Sequence, residues 1–391
     1  MPELLQSIQG LLVTLASFVV VLSVVVFVHE FGHFQVARWR GVAIDTFSIG
    51  FGKTLFGWRD KKGVQWKVGA LPLGGYVKFA DDADAMSTAP REKIEDPAAL
   101  AEARNKGLFH AQPLSTRSMV VAAGPLTNFV FSIFAFGLLA FAFGRDVPSV
   151  ASVEPNSPAS AAGLRPGDVV RSIDGQRVGN FQDLQRLIAL SPGRTLTLVA
   201  LRDEREVTVQ ITPRPREDNP QMGSIGITHD SSPTNREPIG PVEAIGVGAA
   251  NTWAIIAQTG SYIGGVFTGR ESGRQIAGPL GIINVSGQVA NGALSGGGPD
   301  TTLMDRLGFL ALSLLNLAAV LSVAVGIVNL LPIPILDGGH LLFYGIEGAR
   351  GGKPLPPSAQ EWAYRAGFAV MASLFLFATW NDITRLFPGA Q

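Results

Sequence analysis

His29-Glu30-Phe31-Gly32-His33 follows directly on an apolar run, Leu11 to Val28, that contains no charged residue. Residues four apart share one face of a helix, so both imidazoles can reach a single metal ion. Glu30 stands next to the first histidine, where it can act as general base on a metal-bound water. The pattern also arises by chance, and two histidines on one helix face are commonly no more than that. Here, however, two of only five histidines and a glutamate sit at the edge of hydrocarbon. Ionisable groups are costly there and mark function by default. The stretch therefore implies a metal site and hydrolysis of a peptide bond in or beside a membrane.

Composition agrees with a membrane setting. Of 391 residues 47% are apolar and only 16% charged. Lys plus Arg equals Asp plus Glu at 31 each, so nothing favours a nucleic-acid partner. There is no cysteine, which excludes disulfides and thiolate ligands. The first apolar run lacks a basic leader and a small-residue cleavage site, so it reads as a retained transmembrane helix.

Four segments are long and apolar enough to span a bilayer: about Leu4 to Trp39, Met119 to Phe143, Leu307 to Leu331 and Ala363 to Leu386. The last is interrupted by Asn381 and Asp382. Lys and Arg are concentrated between the first two spans, from Arg38 to Arg117, which places that connection in the cytoplasm. The N-terminus, the stretch after Arg145 and the C-terminus are then extracytoplasmic, in a bacterial inner membrane. Between Gly41 and Phe79, β-type runs alternate with glycines and read as hairpins at the membrane face. Asp81 to Gly107 reads as a mobile polar loop with some helix.

Residues 148 to 215 carry turn signals, an Asp174-Gly175 hairpin, a helical stretch from Phe181 to Leu190 and two alternating strands. They resemble a PDZ domain of the bacterial protease type. A small β-rich domain that binds nothing is the alternative. The boundaries are residues 1–40 for the first span, 41–80 for the β-region, 81–115 for the polar loop and 116–144 for the second span. The PDZ domain takes 145–215, a linker with a Gly-rich amphipathic region 216–302, the third span 303–340, and the last connection and span 341–391.

A catalytic zinc usually has three protein ligands and a water, so a third ligand is expected far along the chain. Asn329-Leu330-Leu331-Pro332-Ile333-Pro334-Ile335-Leu336-Asp337-Gly338-Gly339-His340 ends the third span. Two prolines two apart break the helix, and broken backbone at membrane depth is tolerated where it lines a cavity. Asp337 in that break is the candidate third ligand, with the two glycines letting the chain approach the metal. The same aspartate could instead cap the helix that starts near His340.

Together, HExxH on a first span, a PDZ insertion and Asn-x-x-Pro-x-Pro-x-Leu-Asp-Gly on a later one resemble the site-2 protease family. The likeness is to its bacterial RseP type (regulator of sigma-E protease), and it includes Phe47 to Gly52 and Pro72 to Lys78. The resemblance implies zinc at His29, His33 and Asp337, Glu30 as the catalytic base and Asn329 in contact with substrate. The expected fold is a polytopic α-helical membrane protein of about four transmembrane helices. It carries a membrane-associated β-hairpin region and an inserted extracytoplasmic PDZ domain. The expected activity is zinc-dependent cleavage of single-pass membrane proteins, anti-sigma factor-like substrates or remnant signal peptides. Expected partners are those substrates, membrane lipid and a peptide C-terminus at the PDZ domain. The other reading is a membrane scaffold with a structural or vestigial zinc. Tandem PDZ domains are common in this type, but only one is legible here.

Overall fold

A computed structural model of the chain describes residues 2–80, 94, 96–216, 220–229, 235–274, 276–296, 298 and 301–386. They divide into two compact units, one formed by Met1–Phe136 with Val247–Gln391, the other by Gly137–Gly246. In chain order the first elements are α1 (Pro2–Trp39), β1 (Ile44–Arg59), β2 (Gln65–Phe79), α2 (Pro97–Asn105) and α3 (Leu114–Phe143). The second unit holds β3 (Arg145–Asp146), β4 (Val150–Val153), α4 (Pro158–Ala161), β5 (Val169–Ile173), β6 (Gln176–Arg177) and α5 (Phe181–Ala189). It continues with β7 (Leu196–Arg202), β8 (Arg205–Ile211), β9 (Arg214–Pro215), β10 (Gly223–Ser224), β11 (Ile227–His229) and β12 (Arg236–Glu237). Then follow α6 (Pro241–Phe267), α7 (Pro279–Ser295), α8 (Leu303–Leu330), α9 (Asp337–Ala349) and α10 (Pro357–Leu386).

Among the described residues four helices are long and apolar enough to cross a membrane: Ser7–Trp39, Leu114–Phe143, Leu303–Leu330 and Pro357–Arg385. These are the four segments expected, with the last three beginning earlier than Met119, Leu307 and Ala363. The start of the third is fixed by a capping box in which Thr302 and Asp305 satisfy each other's backbone donors. After α1 the chain turns at Gly41, whose φ of +75° suits a residue without Cβ. Val21 and Val25 of α1 pack with Leu317 and Ala318 of α8, joined by Val289 of α7. The β-region is one long bent hairpin. Phe47 of β1 lies opposite both Val77 and Trp66 of β2, so this part of β1 is flanked on two sides. Phe34 of α1 and Phe47 are buried together with Val64, and Trp66 packs edge-on against Phe34 and tilted against Phe47, which binds the hairpin to α1.

Two expectations for this unit need correcting. The expected linker and Gly-rich amphipathic region, residues 216–302, contains two helices that the sequence reading did not assign, α6 (Pro241–Phe267) and α7 (Pro279–Ser295). Their many glycines conceal them in the sequence, while tertiary packing against α1 and α8 supports α7. The polar pair in the fourth span does not interrupt its helix. Asp382 Oδ1 and Oδ2 accept from the Gly278 and Gly281 amides at 3.0 and 2.8 Å. The N-terminus of α7 has no side-chain cap of its own, and this carboxylate from α10 supplies one. Within the expected polar loop, residues 97–105 are helical, and 81–93 lie outside the described residues.

In the second unit, β6-β5-β7-β8 form a four-stranded sheet, with α5 on a core that includes Val170, Leu184, Leu196, Leu198 and Ile211. Asp174 and Gly175, both at positive φ, make the tight turn between β5 and β6. The unit extends past Pro215, where the sequence placed its end, because β11 pairs with β4 and β12 with β3. Pairing between distant short strands leaves no local signal.

Asp168 locks this unit. Only 1% exposed, it accepts from Arg202 Nε and Nη2, each at 2.7 Å, and from the Arg165 amide at 2.8 Å. Burial pushes its carboxyl up, but the Arg202 hydrogen bonds and the Arg165 amide outweigh it, and the group titrates below its ordinary value of 3.8. A depressed carboxyl contributes stability that is present above its unfolded pKa and lost as pH falls through the folded one. Acid therefore loosens this unit below about pH 4. In Asp168→Asn, stability at neutral pH falls by roughly 2 kcal/mol and the acid dependence flattens. Hydrogen exchange of the β5 and β7 amides in the full chain, against pH, reads both effects.

Candidate metal centre

Helix α1 presents His29 and His33 one turn apart, and the first residue of α9 presents Asp337. One ligand atom from each lies within 4.8 Å of the others. His29 Nε2 and His33 Nε2 stand 3.2 and 3.4 Å from Asp337 Oδ2, and 3.2 Å from each other. The three side chains are 11, 13 and 17% exposed. The structure thus brings together residues separated by some three hundred positions, as the sequence expected.

The alternative role for Asp337 is not seen. Leu336 occupies the N-cap of α9, and no side chain caps that helix. Asp337 Oδ2 is instead buried, among the described residues without a hydrogen-bond partner, facing the two imidazoles. The two glycines that follow serve a different purpose from the one expected. A Cβ on Gly338 would fall on the carbonyls of Leu330 and Leu331, and one on Gly339 on the Ile333 carbonyl and Pro334. They allow the broken segment 330–334 to fold tightly back on the first turn of α9, which aims Asp337.

His33 Nδ1 lies 2.9 Å from the Val120 carbonyl of α3. A carbonyl only accepts, so Nδ1 carries the proton and Nε2 offers a lone pair. Close approach of α3 requires Gly32 and Gly124. A Cβ on Gly124 would fall on the His33 ring, and one on Gly32 on the Ala123 carbonyl and Thr127. Pro125 stands beside this crossing, inside the helix. At its start, α3 also orients α9. Arg117 holds Glu347 through two hydrogen bonds of 3.2 and 2.6 Å and covers the Tyr344 ring at 4.9 Å.

Glu30 adjoins the cluster from the same helix, beside the β-region. A Cβ on Gly75 of β2 would come within 2.9 Å of Glu30 Cγ and 2.7 Å of the Ser48 carbonyl. Asn329 is not part of the cluster, and its Nδ2 donates to the Val325 carbonyl at 3.0 Å. Sequence reading missed Asn128, which is fully buried with Nδ2 3.3 Å from His29 Nδ1. A lone amide in the apolar stretch 119–143 is the signal that could have found it.

A buried carboxylate oxygen without a partner, converging with imidazole nitrogens, fits a divalent cation. Two histidines, a carboxylate and an adjacent glutamate match the donor set of a catalytic zinc. Residues 17–374 match Peptidase family M50. The chain is 40% identical over 390 residues to the "Putative zinc metalloprotease" of Rhizobium meliloti, covering 97% of this chain and 99% of that one. It is 39% identical over 391 residues to Metalloprotease MmpA of Caulobacter vibrioides, covering 96% of both. The PDZ domain of the SdrC-like protein of Listeria monocytogenes is 24% identical at a TM-score of 0.19, over 22% of this chain and 86% of that one. With a match over most of its length, the chain belongs to peptidase family M50, the site-2 proteases, and is an intramembrane zinc metalloprotease.

Proposed function

We propose that this enzyme cleaves single-pass membrane proteins within their apolar segments, with His29, His33 and Asp337 holding the zinc and Glu30 as the catalytic base. The observation that carries the reading is the buried, partnerless Asp337 Oδ2 facing two imidazoles beside a glutamate. Zinc, when bound, supplies a Lewis acid and makes its water acidic enough to ionise near neutral pH. Glu30 takes that water's proton and returns it to the departing amine as the C–N bond breaks.

The substrate has to be extended, because a helix conceals its carbonyls behind hydrogen bonds. Extension in lipid leaves backbone groups unpaired. Residues 75–77 of β2 pair with β1 on one side, and among the described residues no strand pairs on the other. An extended segment adding to that edge would recover hydrogen bonds beside Glu30. In this reading Asn329, at the end of α8, contacts the same backbone once its amide leaves the Val325 carbonyl. Anti-sigma factor-like proteins already trimmed outside the membrane and remnant signal peptides fit this chemistry.

In this reading the protein lies in a bacterial inner membrane, with its N-terminus, second unit and C-terminus extracytoplasmic. The second unit acts as a PDZ domain, taking a peptide C-terminus or excluding untrimmed substrates by bulk. Purified protein is expected to cut single-pass segments within their apolar stretch, to stop when chelator strips the zinc, and to resume when zinc is restored. Zinc-loaded protein that leaves every such segment intact would favour the scaffold.

A further inference from the structure

Both histidines take their outer hydrogen bonds from α3, but from chemically different groups. His33 meets the Val120 carbonyl, which fixes one tautomer. His29 meets a carboxamide, which can donate or accept. Asn128 is 0% exposed, and among the described residues its buried Oδ1 has no hydrogen-bond partner. With Nδ2 donating to His29 Nδ1, the imidazole proton sits on Nε2, the atom that faces Asp337. With the carboxamide turned over, Oδ1 accepts from Nδ1–H and frees the Nε2 lone pair. Either orientation leaves one amide atom unpaired, so the contact with His29 decides between them.

Asn128 is also anchored independently of its side chain. Its backbone carbonyl lies 2.9 Å from the Ser132 hydroxyl and 3.2 Å from that of Ser322 on α8. The Ser132 hydroxyl reaches the Ala319 carbonyl as well, at 2.8 Å. A Cβ on Gly326 would come within 2.8 Å of the Phe129 ring, so α3 and α8 pack closely at this level. A side chain serving only to join helices would not need its amide aimed at α1.

We infer that Asn128 is the positioning residue for His29: its carboxamide turns to accept from Nδ1–H and holds the imidazole with Nε2 directed at the metal. This rests on the assignment of His29 as a ligand. Outer partners of this kind fix the tautomer of a ligating histidine and strengthen it as a donor. A carboxamide can take the acceptor orientation that a ligating imidazole requires of its outer partner.

The test is zinc affinity of the full chain in detergent, by chelator competition, with the Co²⁺ absorption spectrum as a second readout of ligand geometry. Asn128→Leu is expected to weaken zinc binding about 10–100-fold. Asn128→Asp, which keeps the acceptor, is expected to bind zinc at least as tightly as the parent. The thermal midpoint of zinc-stripped Asn128→Leu should stay near that of the parent, because the Ser132 and Ser322 contacts go to backbone. An Asn128→Leu affinity within about twofold of the parent would overturn the inference, as would equal losses in both variants. His29→Ala separates the two levels. If it binds zinc like the parent, the ligand assignment itself fails. If it loses zinc while Asn128→Leu does not, only the role of Asn128 fails.

Discussion

With Glu30→Gln, cleavage of a single-pass substrate is expected to slow by about 10²–10⁴-fold while zinc content stays that of the parent. Glutamine keeps the shape that fits against Gly75, where Glu30 Cγ leaves no space for another side chain. It has no carboxylate to take a proton, so the loss falls on turnover. Glu30 is also absent from the cluster formed by His29, His33 and Asp337, so the metal donors are intact in the variant. Turnover beside elemental analysis of the same preparations separates the two effects. Cleavage at the parental rate would place the base elsewhere, and loss of zinc would make Glu30 part of the metal centre.

Asp337→Asn is expected to do the reverse, lowering zinc affinity by more than the 10–100-fold typical of an outer hydrogen-bond partner and abolishing cleavage as a consequence. The amide occupies the carboxylate's volume but carries no charge. It also brings a donor into a position where Oδ2 now faces two ring nitrogens at 3.2 and 3.4 Å. The fold should survive, since Asp337 does not cap α9 and the turn before it is closed by Gly338 and Gly339 against the 330–334 backbone. Zinc remaining after dialysis against chelator, read together with thermal unfolding, checks both halves. Full zinc retention would remove Asp337 from the ligand set.

The reasons some features were legible and others not are local. A histidine pair at helical spacing, at the edge of an uncharged apolar run, combines two periodicities that are both written in consecutive residues. The prolines of the 329–340 segment likewise announce a broken helix wherever they occur in lipid. By contrast, Asp382 reads in the sequence as an interruption of the fourth span. Only when α7 is brought to it does the carboxylate become the missing cap of another helix. The end of the second unit was misjudged for the same reason, because β11 and β12 find partners laid down some seventy to ninety residues earlier.

By itself the sequence determined the four membrane-crossing helices, the position of HExxH at the end of the first, and the break that carries Asp337. Hydropathy, side-chain period and proline stereochemistry act over a few residues, so a linear reading captures them. Only the tertiary structure decided that Asp337 faces the two imidazoles instead of capping α9, and that its glycines serve the turn. It alone placed Val120 and Asn128 behind His33 and His29. Those outcomes depend on close approaches between distant segments. Gly32 and Gly124 allow that of α1 and α3, Gly326 that of α3 and α8, and Gly338 and Gly339 the fold of the 330–334 segment onto α9, and these missing side chains acquire meaning only against a neighbouring backbone or ring.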